Sequence, residues 1–228
     1  MGDINMQIFQ QNKKMKKASY VTFNFSLPAI DTCPMAGSCA GIKRDGSGFC
    51  FAYLEQLRYP SAKAYRERMF ELSKSAQFEP IIQAELSRLQ GKYGKIAIRI
   101  HASGDFYSAE YLNKWVELAR NNSGIIFYAY TKSVAMVKHW GKLNGALPKN
   151  MAIIFSLGGK QDHLIDRERD RHSRIFATEQ DALDAGYSLA NEDDARAWSS
   201  ANHRVGLVIF GARRKNFKEQ GDEIRIAA

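Results

Sequence analysis

Along this chain the spacing of apolar residues switches repeatedly between two and three-to-four. YVTFNFSL, residues 20–27, sets Val21, Phe23, Phe25 and Leu27 against Thr22, Asn24 and Ser26. That alternation predicts a strand with one buried face. A glycine-rich stretch follows, and then SAKAYRERMFELSKS (61–75) carries apolar residues at helical spacing, with Ser61 as its expected N-cap. EPIIQAELSRLQGKYG predicts a second helix closed by glycine. KIAIRIHASGD (95–105) reads as the next strand, and SAEYLNKWVELARNN as a helix capped by Ser108 with Tyr111, Leu112, Trp115 and Leu118 on its apolar face. The alternation continues through GIIFYAYTK, SVAMVKHWGKL and MAIIFSLGG. It ends with a short strand and helix in RIFATEQDALDAG and a buried-type strand in HRVGLVIFGARRK. DHLIDRERDRHSR (162–174) mixes both charge signs and predicts an exposed loop or helix.

Strands separated by helices imply parallel pairing with crossovers. The expected fold is therefore α/β: a partial (β/α)6 barrel or curled parallel sheet of about six strands. With 45% apolar and 25% charged residues, the composition is that of an ordinary globular domain. A single α/β domain is expected over residues 20–228, after a basic segment at 1–19. No apolar run approaches the roughly 18–20 residues of a membrane span, and the opening segment lacks the apolar core of a secretory signal. A cytoplasmic protein with no membrane partner is expected.

In parallel α/β folds functional groups gather at the carboxyl ends of strands. Here those ends carry His101-Ala-Ser-Gly-Asp105, Thr131-Lys132-Ser133, Ser156-Leu-Gly-Gly159, Gly211-Ala-Arg-Arg214 and one further loop, DTCPMAGSCAGIKRDGSGFC (31–50). That loop holds all three cysteines of the chain, Cys33, Cys39 and Cys50. In a reducing compartment a tight thiol cluster points to a metal or reactive site rather than a disulfide framework. Zinc would need a fourth ligand, for which His101 is the nearest candidate. A four-iron cluster held by three thiolates would keep one iron open. His139, His163, His172 and His203 fall on helices or polar loops, where solvated positions are expected. No GxSxG, Walker A, HExxH or GxGxxG stretch occurs, which removes the corresponding hydrolase, P-loop, zincin and dinucleotide readings.

Charge adds a partner class. Lys and Arg total 33 against 24 acidic residues, a net charge of +9, with clusters at Lys13, Lys14, Lys16 and Lys17, at Lys43 and Arg44, and at Arg213, Arg214 and Lys215. Such an excess attracts phosphate, so a nucleotide or nucleic acid is the expected partner, against the alternative of a solvated basic surface.

The order of strand, three-cysteine loop, helix and a strand ending in Ser-Gly-Asp resembles the radical S-adenosylmethionine (SAM) superfamily. Phe49 precedes Cys50 as an aromatic often does in that superfamily's cysteine loop, and Ser103-Gly104-Asp105 takes the place of its Gly-Gly-Glu motif. TCPMAGSCAG, RIHASGDFYSAEYLNKW, FYAYTKS and GLVIFGARRK are more closely similar to phage-encoded proteins of the gene product 88 kind, over about residues 20–215. The resemblance implies a 4Fe–4S cluster on Cys33, Cys39 and Cys50, with SAM on the open iron and an electron donor if the protein is catalytic. It implies that Asp105, with Ser103 and Gly104, holds the methionyl ammonium, and that Lys132 and Ser156 serve the carboxylate and ribose. A non-catalytic iron–sulfur or zinc protein that binds nucleic acid is the alternative. Five and ten residues separate the cysteines, where the superfamily has three and two, so Ala40 to Gly48 is an insertion relative to that pattern.

Overall fold

A computed structural model describes residues 7–11, 20–190, 195–199 and 201–209. Strand β1 (Val21–Ser26) leads into the cysteine loop, which contains one short 3-10 turn and helix α1 (Gly41–Arg44). Helices α2 (Phe51–Arg58), α3 (Pro60–Lys74) and α4 (Phe78–Tyr93) precede β2 (Ile96–Ser103). Then come α5 (Ala109–Asn121), β3 (Ile126–Thr131), α6 (Val134–Asn144), β4 (Met151–Ser156) and β5 (His172–Phe176). The described chain closes with α7 (Glu179–Asp184), β6 (Ser188–Leu189), α8 (Ala195–Ser199) and β7 (Arg204–Val208).

The seven strands form one sheet in the order β1-β2-β3-β4-β5-β7-β6, with parallel pairs throughout, curled into a half-barrel. The α/β expectation therefore holds, with seven strands in place of about six. The addition is β6, too short to leave a periodic signal in the sequence. Three local readings change. Pro60 occupies the first position of α3 behind Tyr59, so Ser61 is inside the helix rather than its cap; proline suits that position because its missing N–H has no partner there anyway. His172 sits on β5, fully buried, with Nδ1 against Asp170 O and Nε2 against the Tyr187 hydroxyl, so it is not a solvated loop histidine. The mixed-charge stretch 162–174 correspondingly ends in a buried strand. Residues 210–215 of the last predicted strand lie outside the described residues, as do the lysines at 13–17.

Alternation along the strands builds two layers. Phe25 of β1, Ile96, Ile98 and Ile100 of β2 and Phe127 of β3 join the large core under the helices, where Trp115 of α5 meets Phe25 and Phe78 edge-on at 5.3 and 5.4 Å. Ala97, Tyr128, Ile154 and Val205 face the other way, and Trp198 of α8 packs on Tyr128 at 4.7 Å. A curled parallel sheet thus has both faces covered, which is what such sheets require. Ser108 caps α5 by accepting from Tyr111 N at 3.1 Å, and Tyr111, Leu112, Trp115 and Leu118 are all buried, as the helical spacing predicts. Among the described residues no helix is long and apolar enough to cross a membrane.

The pairing of β1 with β2 contains one irregularity, and it shapes the carboxyl rim of the sheet. The two strands run in register from Val21↔Ile96 to Asn24↔Arg99, and the register then slips so that Ser26 meets Ser103. The extra residues of β2 bring Ser103 beneath Leu27: Leu27 N donates to Ser103 O and Ser103 Oγ donates to Leu27 O, both at 2.8 Å. Gly104 follows with φ +88, and a Cβ there would lie 2.6 Å from both Leu27 Cβ and Thr32 Oγ1. Only glycine serves, for conformation and for space. Gly104→Ala should therefore lower the unfolding free energy by about 2 kcal/mol or more, from left-handed strain plus overpacking. Gly91→Ala in α4, where nothing lies within 4 Å of the added carbon, should raise it by about 0.5–1 kcal/mol. Urea unfolding of both variants checks the pair.

Candidate functional site at the carboxyl rim

The cysteine loop leaves β1 through a tight turn. Thr32 Oγ1 donates to Pro28 O at 2.8 Å and Cys33 N donates to Ile30 O at 3.0 Å, with Ile30 in the left-handed region at φ 70. A β-branched residue there is a genuine outlier, held by its surroundings. The loop then crosses the rim. Ala36 forms an antiparallel bridge with Gly159, and Lys160 N donates to Met35 O at 3.0 Å, so the chain after β1 is clamped to the chain after β4. A Cβ on Gly37 would lie 2.4 Å from Gly158 O, which makes glycine obligatory at this crossing.

The long gap before the third cysteine is folded out of the way. α1 and its turn double back, Asp45 N and Gly46 N both donate to Gly41 O, and Cys50 N donates to Cys39 O at 3.3 Å. Cys39 and Cys50 are thus neighbours at the base of an excursion. Gly48 packs into that base, since a Cβ would come within 2.3 Å of Ile42 N and 2.5 Å of Cys39 O. Cys50 then stands at the N-cap of α2, preceded by the half-buried Phe49.

All three cysteines are free thiols. Burial pushes the Cys33 thiol well up, and the Asp105 carboxylate, Cys39 and Cys50 add to it by like-charge repulsion; the four groups are electrostatic neighbours. Burial also raises Cys50, opposed by the N–H groups of Tyr53 and Ala52 at the start of α2 and by the charge of Arg66. Among the described residues, no group of three or more His, Cys, Asp or Glu side chains stands so as to hold a metal ion.

Asp105 is buried at the centre of the rim. It accepts from Phe106 N at 2.7 Å, from Thr131 Oγ1 at 2.5 Å and from Lys132 N at 2.8 Å. Burial pushes its carboxyl up to about 6, against the lowering effect of those bonds and of the Lys132 charge. It is not the cap of α5, a role that belongs to Ser108. Lys132 extends onward, its Nζ donating to Ser156 O and Oγ at 3.1 Å and to Leu157 O at 2.7 Å. Ser103, Gly104, Asp105, Lys132 and Ser156 therefore all lie on the rim that the cysteine loop crosses. His101 packs with the start of α5 and the residue after Asp105: its Nε2 is 3.2 Å from the Tyr111 hydroxyl and its ring meets Phe106 edge-on at 4.6 Å.

Several residues at the site carry no sequence signal of their own. Asp162 accepts from Gly158 N and Gly159 N at 2.7 and 2.8 Å and so fixes the glycine pair under the cysteine loop. Gln56 of α2, buried, accepts from Ala29 N at 3.0 Å. Thr131 stands out in the sequence only as part of a polar strand end.

The model of the family described as Gene product 88 matches residues 6–226. The chain belongs to the gene product 88 family. No curated protein and no solved structure matches it. The match spans both the rim and the helices behind it, so the cysteine loop of this gene product 88 protein is part of the family's domain rather than an appendage.

Behind the rim, burial drives His101 of the gene product 88 chain down to about 3, with the Arg99 charge acting in the same direction. The unfolded side chain titrates near 6.5. Its contribution to stability is thus fully present above pH 6.5 and is lost as pH falls toward 3, by several kcal/mol in all. The unfolding free energy of wild type minus that of His101→Phe should shrink across this window, and urea titrations at pH 7, 6, 5 and 4 measure it. A difference constant with pH would refute the assignment.

Proposed function

We propose that this gene product 88 protein is an iron–sulfur protein of the radical SAM kind, in which Cys33, Cys39 and Cys50 hold a 4Fe–4S cluster and the fourth iron takes SAM. The observation that carries the reading is that all the thiols of the chain gather on one rim of a curled parallel sheet, within electrostatic reach of one another and of Asp105. A single zinc ion needs donors converging about 2.3 Å from one point. A cluster asks less of them, because each thiolate bonds its own iron. The donor chemistry fits too: three thiolates beside a buried carboxylate repel one another, and a cationic iron–sulfide core offsets that repulsion.

When bound, cluster and SAM together supply one-electron reductive cleavage of SAM. The protein's part is binding and orientation. Asp105 has two oxygens and uses three acceptor positions internally, which leaves room to accept from the methionyl ammonium. Ser103 and Gly104 present backbone beside it. Lys132 spends its three hydrogens on Ser156 and Leu157, so meeting a carboxylate would require it to exchange one acceptor, and Ser156 would serve the ribose. Phe49, half-buried next to Cys50, would help shield the cluster from water. The net charge of +9 favours a phosphate-bearing substrate, a nucleotide or nucleic-acid base.

Protein purified without oxygen should contain about four irons and matching sulfide per chain. Each of Cys33→Ala, Cys39→Ala and Cys50→Ala should abolish its visible absorption. SAM should change the electron paramagnetic resonance spectrum of the reduced protein, and Asp105→Asn should weaken that response while keeping the iron. Stoichiometric zinc without iron, or a spectrum indifferent to SAM, would overturn the reading. For the substrate class, affinity for single-stranded DNA, with nucleotides as competitors, should fall steeply between two salt concentrations. No binding at low salt would leave the charge as a solubility feature.

A further inference from the structure

Arg66 presents a problem of charge burial. It projects from α3 with a side chain only 7% exposed, while the acid it pairs with, Glu55, is 48% exposed. Water therefore screens the anion far more than the cation, and a buried guanidinium with one well-screened counter-charge is costly. Its other contact is a neutral carbonyl: Nη1 donates to Ala52 O at 2.7 Å, while Nη2 bonds Glu55. Ala52 lies in the first turn of α2, two residues past Cys50, which is the N-cap of that helix. On the same helix the buried Gln56 takes Ala29 N at the start of the cysteine loop. α2 is thus gripped on two sides, and the grip from α3 comes with a buried positive charge.

We propose that Arg66 is a positioning residue and buried counter-charge for the cluster site: it fixes the first turn of α2, and with it Cys50, and sets a cation beside a thiolate-rich centre. The inference rests on the cluster reading above. It explains why a charge this poorly compensated is kept, since the missing compensation is the negative charge that three thiolates bring. One-electron reduction of the cluster by dithionite adds one negative charge with no protein bond made or broken. A fixed cation nearby favours the reduced form, so it raises the midpoint potential.

The test uses the full chain reconstituted anaerobically with equal ferrous and ferric iron and with sulfide, in wild type, Arg66→Met, Arg66→Lys and Glu55→Gln. Midpoint potential is read by dithionite titration, iron loss by transfer to a chelator, and folding by circular dichroism. Arg66→Met should lower the potential and speed iron loss about 10-fold or more, the size expected when a partner behind a ligand is removed. Arg66→Lys should keep a potential near wild type. Glu55→Gln, which deletes the opposing charge, should shift the potential upward, and this opposite sign is what a purely structural tie between α2 and α3 would not produce. A wild-type protein that takes up iron, with potentials unchanged or shifted the same way by Arg66→Lys and Glu55→Gln, overturns the role of Arg66 alone. A wild-type protein that takes up no iron overturns the cluster reading and this inference with it. If Arg66→Met does not fold, the other two variants still decide.

Discussion

A buried carboxylate organises the functional edge of this protein. Asp105 gathers Phe106 N, Thr131 Oγ1 and Lys132 N, and so joins the end of β2 to the end of β3. Hydrogen bonds to a charged group contribute about 1.5–3 kcal/mol each, enough together to oppose the burial that pushes the carboxyl toward 6. The tie propagates. Lys132, fixed at its backbone, reaches the end of β4 through Nζ; Asp162 holds the glycine pair beyond β4; and that pair bridges to Ala36 in the cysteine loop. On the other side Ser103 fastens β2 to Leu27, where the same loop begins. The rim is one hydrogen-bonded circuit that runs from Leu27, ahead of the cysteine loop, back to Ala36 within it.

That circuit also places like charges together. Asp105 and three thiols share one partly buried region, an arrangement that burial and mutual repulsion both disfavour when the groups ionise. Proteins keep such clusters where function requires them. Ile30, a β-branched residue in the left-handed region three positions before Cys33, is a second local cost at the same place. A fold selected only for stability would have neither. Both costs fall at the carboxyl rim, in the cysteine loop and the chain beside it, while the sheet and helices behind follow ordinary packing rules.

Much of this is readable in the chain. The α/β alternation, the face of α5 and its Ser108 cap follow from periodicity and cap chemistry, which are local and act within a turn or two of helix. The cysteine loop stands out because all three thiols are crowded into one short stretch, and its place after a strand puts it at the carboxyl rim. What stays hidden depends on long-range geometry. Thr131, Asp162 and Gln56 are ordinary polar residues whose partners lie on other elements, and Arg66 sits in a charged helical run, RER, that predicts a solvated face. The burial of His172 is hidden for the same reason: flanking charges on 162–171 suggest a loop, and pairing with both β4 and β7 starts the strand at residue 172. β6 is two residues long and exists through its neighbour.

The excursion from Ala40 to Gly48 has a consequence for how the site is recognised across sequences. Its base is closed by Cys50 N on Cys39 O, with Gly48 packed against that joint, so the excursion is bounded by its own stem. Residues added or removed beyond that stem change the count between the cysteines without moving them in space, much as a hairpin tip can vary while its strands stay paired. Loop-closure entropy penalises such variation only weakly, by about 0.6 kcal/mol per doubling of length. What keeps Cys39 and Cys50 neighbours is then the stem and not the interval between them along the chain. A pattern written as a fixed spacing would miss an equivalent pair of cysteines joined by a longer or shorter excursion, whereas one keyed to the stem, Cys39 with Gly48 and Cys50, would not.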